Sequence, residues 1–527
     1  MGTRQVFSYL TCLLGLVSFA CGGNIGAPSG GDINAALDSL EFKLNWLDYR
    51  IAGERWDRES GGEADSLEFF DNLRQAVTGS EATFNTFRGS RGRLDEETDR
   101  RRYDLVYPEV LHSYVNHNRN IRSIFDSLTD YHQHRQYEFG GDLRTPEYLC
   151  NQVDRSTSRT DREMAYRALN APGEAVQSLM GRLFRLRNQT AKRFGYNNYF
   201  AFTESARQNE PSGYLQLISR VDSVSRQQYQ EILAGLRDDF REGVLEIWDW
   251  EYSSADVWRE LDRYLAADSQ MDFLKLSLAD LGFDLDNSPI YFHEIYDSAS
   301  PAFARTIVVS LPHDIRVVCH LSDGLRSLRN LFRATGQAIR AAETSQGSDL
   351  LGRTVDPAWA MGVGRFFEDL CLQPEWLRTY AQVPENLIGR VTRARQAHDL
   401  LNLRLLLTNA MFEYEAYRNP NSDLNTLWWE LFETYTMLPR NEDLQPWAVS
   451  ESFVFQPLGY HDQLQAEMIA AQTRAYLTEH YNTVVGNPEV RSFLEHNYFR
   501  FGGRYPWREL VERGTGEAPS PAYLAVE

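Results

Sequence analysis

Between Leu325 and Ala342 the sequence "LRSLRNLFRATGQAIRAA" sets four arginines and a glutamine along one side of a helical wheel. Arg326, Arg329, Arg333, Gln337 and Arg340 share that side; Leu325, Leu328, Leu331, Phe332, Ile339 and Ala342 share the other. Guanidinium groups in such a row suit carboxylates or phosphates, because each presents a planar fork of N–H donors and a charge that no physiological pH removes. They cannot ligate a metal, since a guanidinium has no lone pair to offer and repels a cation. Two readings of the stripe stand side by side, a solvated face and an anion-binding floor, and the alternative for Arg333 itself is a pair with Glu368 on a following helix.

Other chemical groups are thinner. The run "HEIYD" from His293 carries His and Asp at a metal-like spacing, but it is strand-like, which holds His293 and Asp297 too far apart to share one ion. His132 and His134 stand in a polar, loop-like stretch and read as a surface pair. No CxxC, no Cys/His cluster and no nucleophile elbow occurs.

The elements that must position the arginine stripe are mostly helices. "INAALDSLEFKLNWLDYRI" repeats Ile33, Leu37, Leu40, Leu44 and Leu47 at helical spacing, and Ala171 to Phe202 holds another long apolar period that Gly195 closes. Strand character is confined to three runs before the stripe, Ser288 to Asp297, Arg305 to Leu311 and Asp314 to Leu321, which predict a small sheet. Helical patterns resume until about Arg513. The "GTGEAPSPAYLAVE" tail reads as loose.

A chain of 527 residues buries a large core. Its 54 Lys+Arg against 74 Asp+Glu give a net charge of -20, which repels nucleic acid and anionic membranes. Aromatics at 13% suit a folded body with a lined groove. Arg4, the apolar stretch Val6 to Phe19 and the small residues before Cys21 read as an export signal over residues 1–20. Cys21 followed by "GGNIGAPSGG" resembles the bacterial lipoprotein pattern, in which that cysteine is acylated and residues 21–32 form a tether. Ser18 stands where that pattern prefers leucine, so cleavage without lipid is the alternative. With Cys12 in the leader and Cys21 lipidated, Cys150, Cys319 and Cys371 allow at most one disulfide.

Several stretches together resemble the zincin-type metallopeptidases of angiotensin-converting enzyme and the bacterial oligopeptidases. They are "LFRLRNQTAKRFGYNNYFAF", "PHDIRVVCHLSDGLRSLRNLFRATGQAI", "DPAWAMGVGRFFEDL", "FEYEAYRNPNSDLNTLWWEL" and "FVFQPLGYHDQLQAEMIAAQ". The resemblance implies a mainly α, zincin-like ellipsoid with a deep central groove and a small β-sheet. It divides the chain into an N-terminal helical region, 33–170, a peptidase-like body, 171–513, with a degenerate zinc helix over 325–342, and a flexible tail, 514–527. Its register sets Arg333 and Gln337 where two histidine ligands belong, Ala334 where the catalytic glutamate belongs and Met361 where the third ligand belongs. Arg326, Arg329, Arg340, Glu368 and Tyr460 become candidate groove-binding residues. The expectation is an exported, non-catalytic pseudopeptidase with no cofactor and a peptide or protein ligand in its groove. No nucleic acid is expected, and no membrane contact beyond a lipid at Cys21. The alternatives are an active zinc peptidase with other ligands and a structural envelope lipoprotein.

Overall fold

The computed structural model describes residues 32–209, 211–240, 243–296, 302–345 and 349–525. The expected leader, Cys21 and the tether up to residue 31 lie outside them, as does Asp297.

Apolar stripes on the helices feed two large cores. The first gathers Leu37, Leu40 and Leu44 from α1 (Ile33–Glu59), Val176, Met180 and Phe184 from α2 (Gly173–Arg193), and Tyr214 and Val221 from α3 (Pro211–Asp239). The second gathers Leu328, Leu331 and Phe332 from α4 (Leu325–Ala342) with Trp359, Val363 and Phe366 from α5 (Pro357–Leu370). Each such side chain taken from water stabilises the fold by about 1.5–3 kcal/mol before its ordering cost.

Two long helices belong to both cores. α6 (Glu385–Arg418) begins in the second with Leu387, Ile388 and Val391 and ends in the first with Leu400, Leu407 and Phe412. α7 (Gly459–Tyr481) runs from Leu464 in the first core to Leu477 in the second. α4 and α5 approach so closely that a Cβ at Gly336 would collide with the ring of Phe367.

The strands depart little from expectation. A two-residue Gly140-Gly141 turn joins a short hairpin, β1 (Tyr137–Phe139) and β2 (Asp142–Arg144), which the helical reading of this region overlooked. The main sheet holds β3 (Ile290–Tyr296), β4 (Phe303–Ser310) and β5 (Asp314–Leu321) in the order β3-β5-β4. β3 runs parallel to β5 with Ile290 opposite Ile315, and β4 runs antiparallel with Phe303 opposite His320. β4 supports α4 directly, where the Thr306 hydroxyl donates to the Ala334 carbonyl at 2.6 Å.

Three expectations need correction. The tail is fastened: the buried Gln472 amide of α7 donates to Thr515 Oγ1 at 3.0 Å and to the Glu517 carbonyl at 3.2 Å, and its oxygen accepts from the Ser520 N–H at 2.9 Å. A turn over Pro521–Ala525 then packs Leu524 against the first core, so polar composition was outweighed by one buried amide and one apolar contact. His132 and His134 end a helix, Arg119–His134, and only His134 is exposed; His132 packs beside Phe455. Arg340 does not face a groove but is buried, near the end of α4, where the following Thr344 and Ser345 hydroxyls donate to the Phe499 and Arg500 carbonyls. Cys150, Cys319 and Cys371 are unpaired thiols.

Candidate functional site

Where the two cores meet, α4, α5, α6 and α7 enclose a cavity of about 640 Å³. Its floor is an ion-pair network. From α4, Arg329 reaches Glu368 Oε1 at 2.6 Å, and Arg333 Nε donates to Glu368 Oε2 at 2.7 Å. Arg365 of α5 reaches outward to Asp399 of α6 at 3.0 Å and to Glu467 of α7 at 3.0 Å, with Asp369 at 3.2 Å and Glu368 at 3.5 Å. Arg474 of α7 and Arg395 of α6 approach Asp369 at 2.6 and 3.5 Å, and Arg395 also reaches Asp399 at 3.2 Å. The lining therefore carries five arginines against four carboxylates.

The network fixes protonation. Burial alone would raise the Glu368 pKa, but the guanidiniums of Arg329, Arg365 and Arg333 outweigh it and hold the carboxyl below its ordinary value. Asp369 and Asp399 are likewise held down, against burial, by Arg365 and Arg395. Glu467 goes the other way, because its burial exceeds the pull of Arg365. Buried ions in this geometry are costly to uncouple, since removing one leaves its partner unpaired in a poorly solvated place.

The residues singled out from sequence divide into groups. Arg329, Arg333, Gln337, Met361, Glu368 and Tyr460 line this one cavity. The Tyr460 hydroxyl is occupied, 2.9 Å from Ser450 Oγ, and burial pushes its pKa up. Ala334 is buried in the second core, its carbonyl accepting from Thr306 of β4, and does not line the cavity. Arg326 lies in an adjoining cavity of about 290 Å³, 3.5 Å from Asp154. Arg340 lines neither, and among the described residues its Nε and Nη1 have no hydrogen-bond partner; burial lowers its pKa to about 10.

The adjoining cavity also holds His398. Burial alone would lower its pKa, but Glu251, 3.0 Å from Nδ1, outweighs burial and raises it. Asp154 across from it is pushed up to about 6 by burial and by the nearby Glu251 charge.

A catalytic zinc requires about three N, S or O donors with available lone pairs plus an open position for water. Arg333 has none, Gln337 offers a weak amide oxygen and Met361 a thioether that prefers softer ions. The Glu368 and Asp399 carboxylates are engaged by arginines. These residues do not fit zinc. Among the described residues, no group of three or more His, Cys, Asp and Glu is arranged to hold a metal ion.

Sequence reasoning missed six of the nine network residues: Arg365, Asp369, Arg395, Asp399, Glu467 and Arg474. A signal existed. Arg365 with Glu368 and Asp369, and Arg395 with Asp399, stand one helical turn apart, and Glu467 and Arg474 stand two turns apart on a helix otherwise filled with buried residues.

Neither protein-family models nor curated protein sequences match this chain. Among solved structures it is similar to an M32 carboxypeptidase from Deinococcus radiodurans R1, at a TM-score of 0.61 and 15% identity, over 92% of this chain and 97% of that one. The fold is thus mainly α, zincin-like and metallopeptidase-like. The narrower assignment to the angiotensin-converting-enzyme and oligopeptidase branch is not what this likeness supports.

Proposed function

We propose that this chain is an exported, non-catalytic relative of metallopeptidases that holds peptides in its central cavity without cleaving them. The observation that carries this reading is the engagement of Arg333 with Glu368 at the cavity floor. Hydrolysis of the metallopeptidase kind needs an ion to polarise water and a base to take its proton. Here the floor offers a fixed cation, an amide and a thioether, and Glu368 is committed to three guanidiniums. The cavity itself is retained, at a volume that accommodates a few peptide residues, with Gln337, Gln463 and Asn409 able to meet a peptide backbone. Export rests on the sequence of residues 1–21, and lipidation on Cys21.

The test uses the purified mature chain loaded with excess zinc and dialysed. We expect zinc well below one equivalent, no cleavage of quenched fluorescent peptides, and saturable binding of the same peptides. Stoichiometric zinc with chelator-sensitive cleavage would favour an active peptidase, and absence of all peptide binding would favour a purely structural envelope role.

A further inference from the structure

We propose that the cavity floor is a carboxylate site, in which the outer nitrogens of Arg333, with the Gln337 amide beside them, grip one carboxylate of an incoming peptide. This rests on the peptide-binding reading above and names what that site selects.

Four observations lead to it. The Nε bond to Glu368 orients the Arg333 guanidinium, yet among the described residues no bond occupies its Nη1 and Nη2, and 46% of the side chain is accessible. Glu368 already serves Arg329 and Arg365, so it does not neutralise Arg333 alone. Counted over the whole lining, arginines exceed carboxylates by one, inside a chain of net charge -20. Finally, Gly364 of α5 lies under both side chains: a Cβ there would stand 3.0 Å from Arg333 Cγ and 3.2 Å from Gln337 Nε2, so its absence gives the pair room at the floor.

These features specify the anion. A surplus of one charge suits a monoanion, and the planar fork of Nη1 and Nη2 matches the two oxygens of a carboxylate. A polyanion would meet the chain's overall negative field and the nearby Glu467 and Glu368 without enough local cation to offset them. A peptide can supply the carboxylate from its C-terminus or from an Asp or Glu side chain, and the chemistry at Arg333 is the same.

Calorimetric titration of the full mature chain with three N-acetylated alanine hexapeptides tests this: a free acid, its C-terminal amide, and an amide with one central Glu. At least one charged peptide should bind about tenfold more tightly than the neutral amide, as a bidentate charge-assisted pair warrants, and whichever does so names the source. Arg333→Gln should abolish that preference, whereas Arg333→Lys should keep part of it. Gln337→Met leaves the ion network intact and should reduce the preference two- to fivefold by the loss of one amide donor, about 0.5–1 kcal/mol. Should Arg333→Gln fail to fold, Gln337→Met and the three peptides on the unaltered chain still decide. Equal affinity for all three peptides overturns the carboxylate site and leaves peptide binding standing; absence of binding by all three overturns both.

Discussion

Arg333 Nε and Glu368 Oε2 lie 2.7 Å apart and join α4 to α5 at the floor of the cavity. Glu368 also meets Arg329 and Arg365, so one carboxylate holds three cations together. Glu368→Gln keeps the shape and removes the charge, leaving those guanidiniums to repel one another. We expect a loss of about 3 kcal/mol in urea unfolding at pH 7. Because the folded pKa of Glu368 is depressed, its contribution is present above the unfolded value near 4.5 and disappears as pH falls through the folded one. The difference between variant and parent should therefore narrow in acid, below about pH 4.5.

If Arg333, Gln337 and Met361 line one cavity in the register of a metal site, donors installed there should find each other. The triple substitution Arg333→His, Gln337→His, Met361→Glu should retain about one equivalent of zinc after dialysis, as three suitable donors require. Elemental analysis of a folded triple variant without zinc would mean that the three positions do not converge.

Gly336 is a contact requirement between α4 and α5. A methyl group there must displace the Phe367 ring, so Gly336→Ala should lower stability by about 1–3 kcal/mol despite alanine's better helix propensity. Thermal unfolding followed by circular dichroism measures this, with the exposed-side Arg326→Ala as a control near zero.

Glu413 of α6 supplies a pH dependence of opposite sign. It is buried, accepts the Leu458 N–H at 3.0 Å, and burial pushes its pKa up to about 8 against the pull of Arg187 and Arg207. A raised folded pKa means stabilisation that is complete below the unfolded value near 4.5 and is lost as pH rises toward 8. Glu204 is raised to about 7, mainly by burial, and acts in the same direction. Glu413→Gln preserves the acceptor and removes the titration. Urea midpoints at pH 6 and pH 9 should fall less in this variant than in the parent, by the equivalent of about 2 kcal/mol.

Local pattern carried much of this far. The helix over 325–342 was legible to the residue, because its apolar and polar faces separate cleanly, and the three sheet strands were legible to within a few positions. What a wheel cannot see is the neighbour. Arg340 lies on the same side as Arg333, yet it is buried while Arg333 is half exposed, and nothing in the helix's own residues announces that difference. Arg365 joins carboxylates on two helices distant in sequence, Asp399 on α6 and Glu467 on α7, a relation that only packing creates. The tail misled because its composition is polar, while the amide that secures it sits on α7.

α6 and α7, of 34 and 23 residues, pass from one core into the other without a break. A clamshell motion that spread the two lobes would have to bend both rods at once, at the level where Asp399 and Glu467 are tied to Arg365. Guests should accordingly enter by rearrangement of side chains and of the Pro521–Ala525 turn at the rim, not by hinge opening. Small-angle scattering curves of the empty and the filled protein should superimpose.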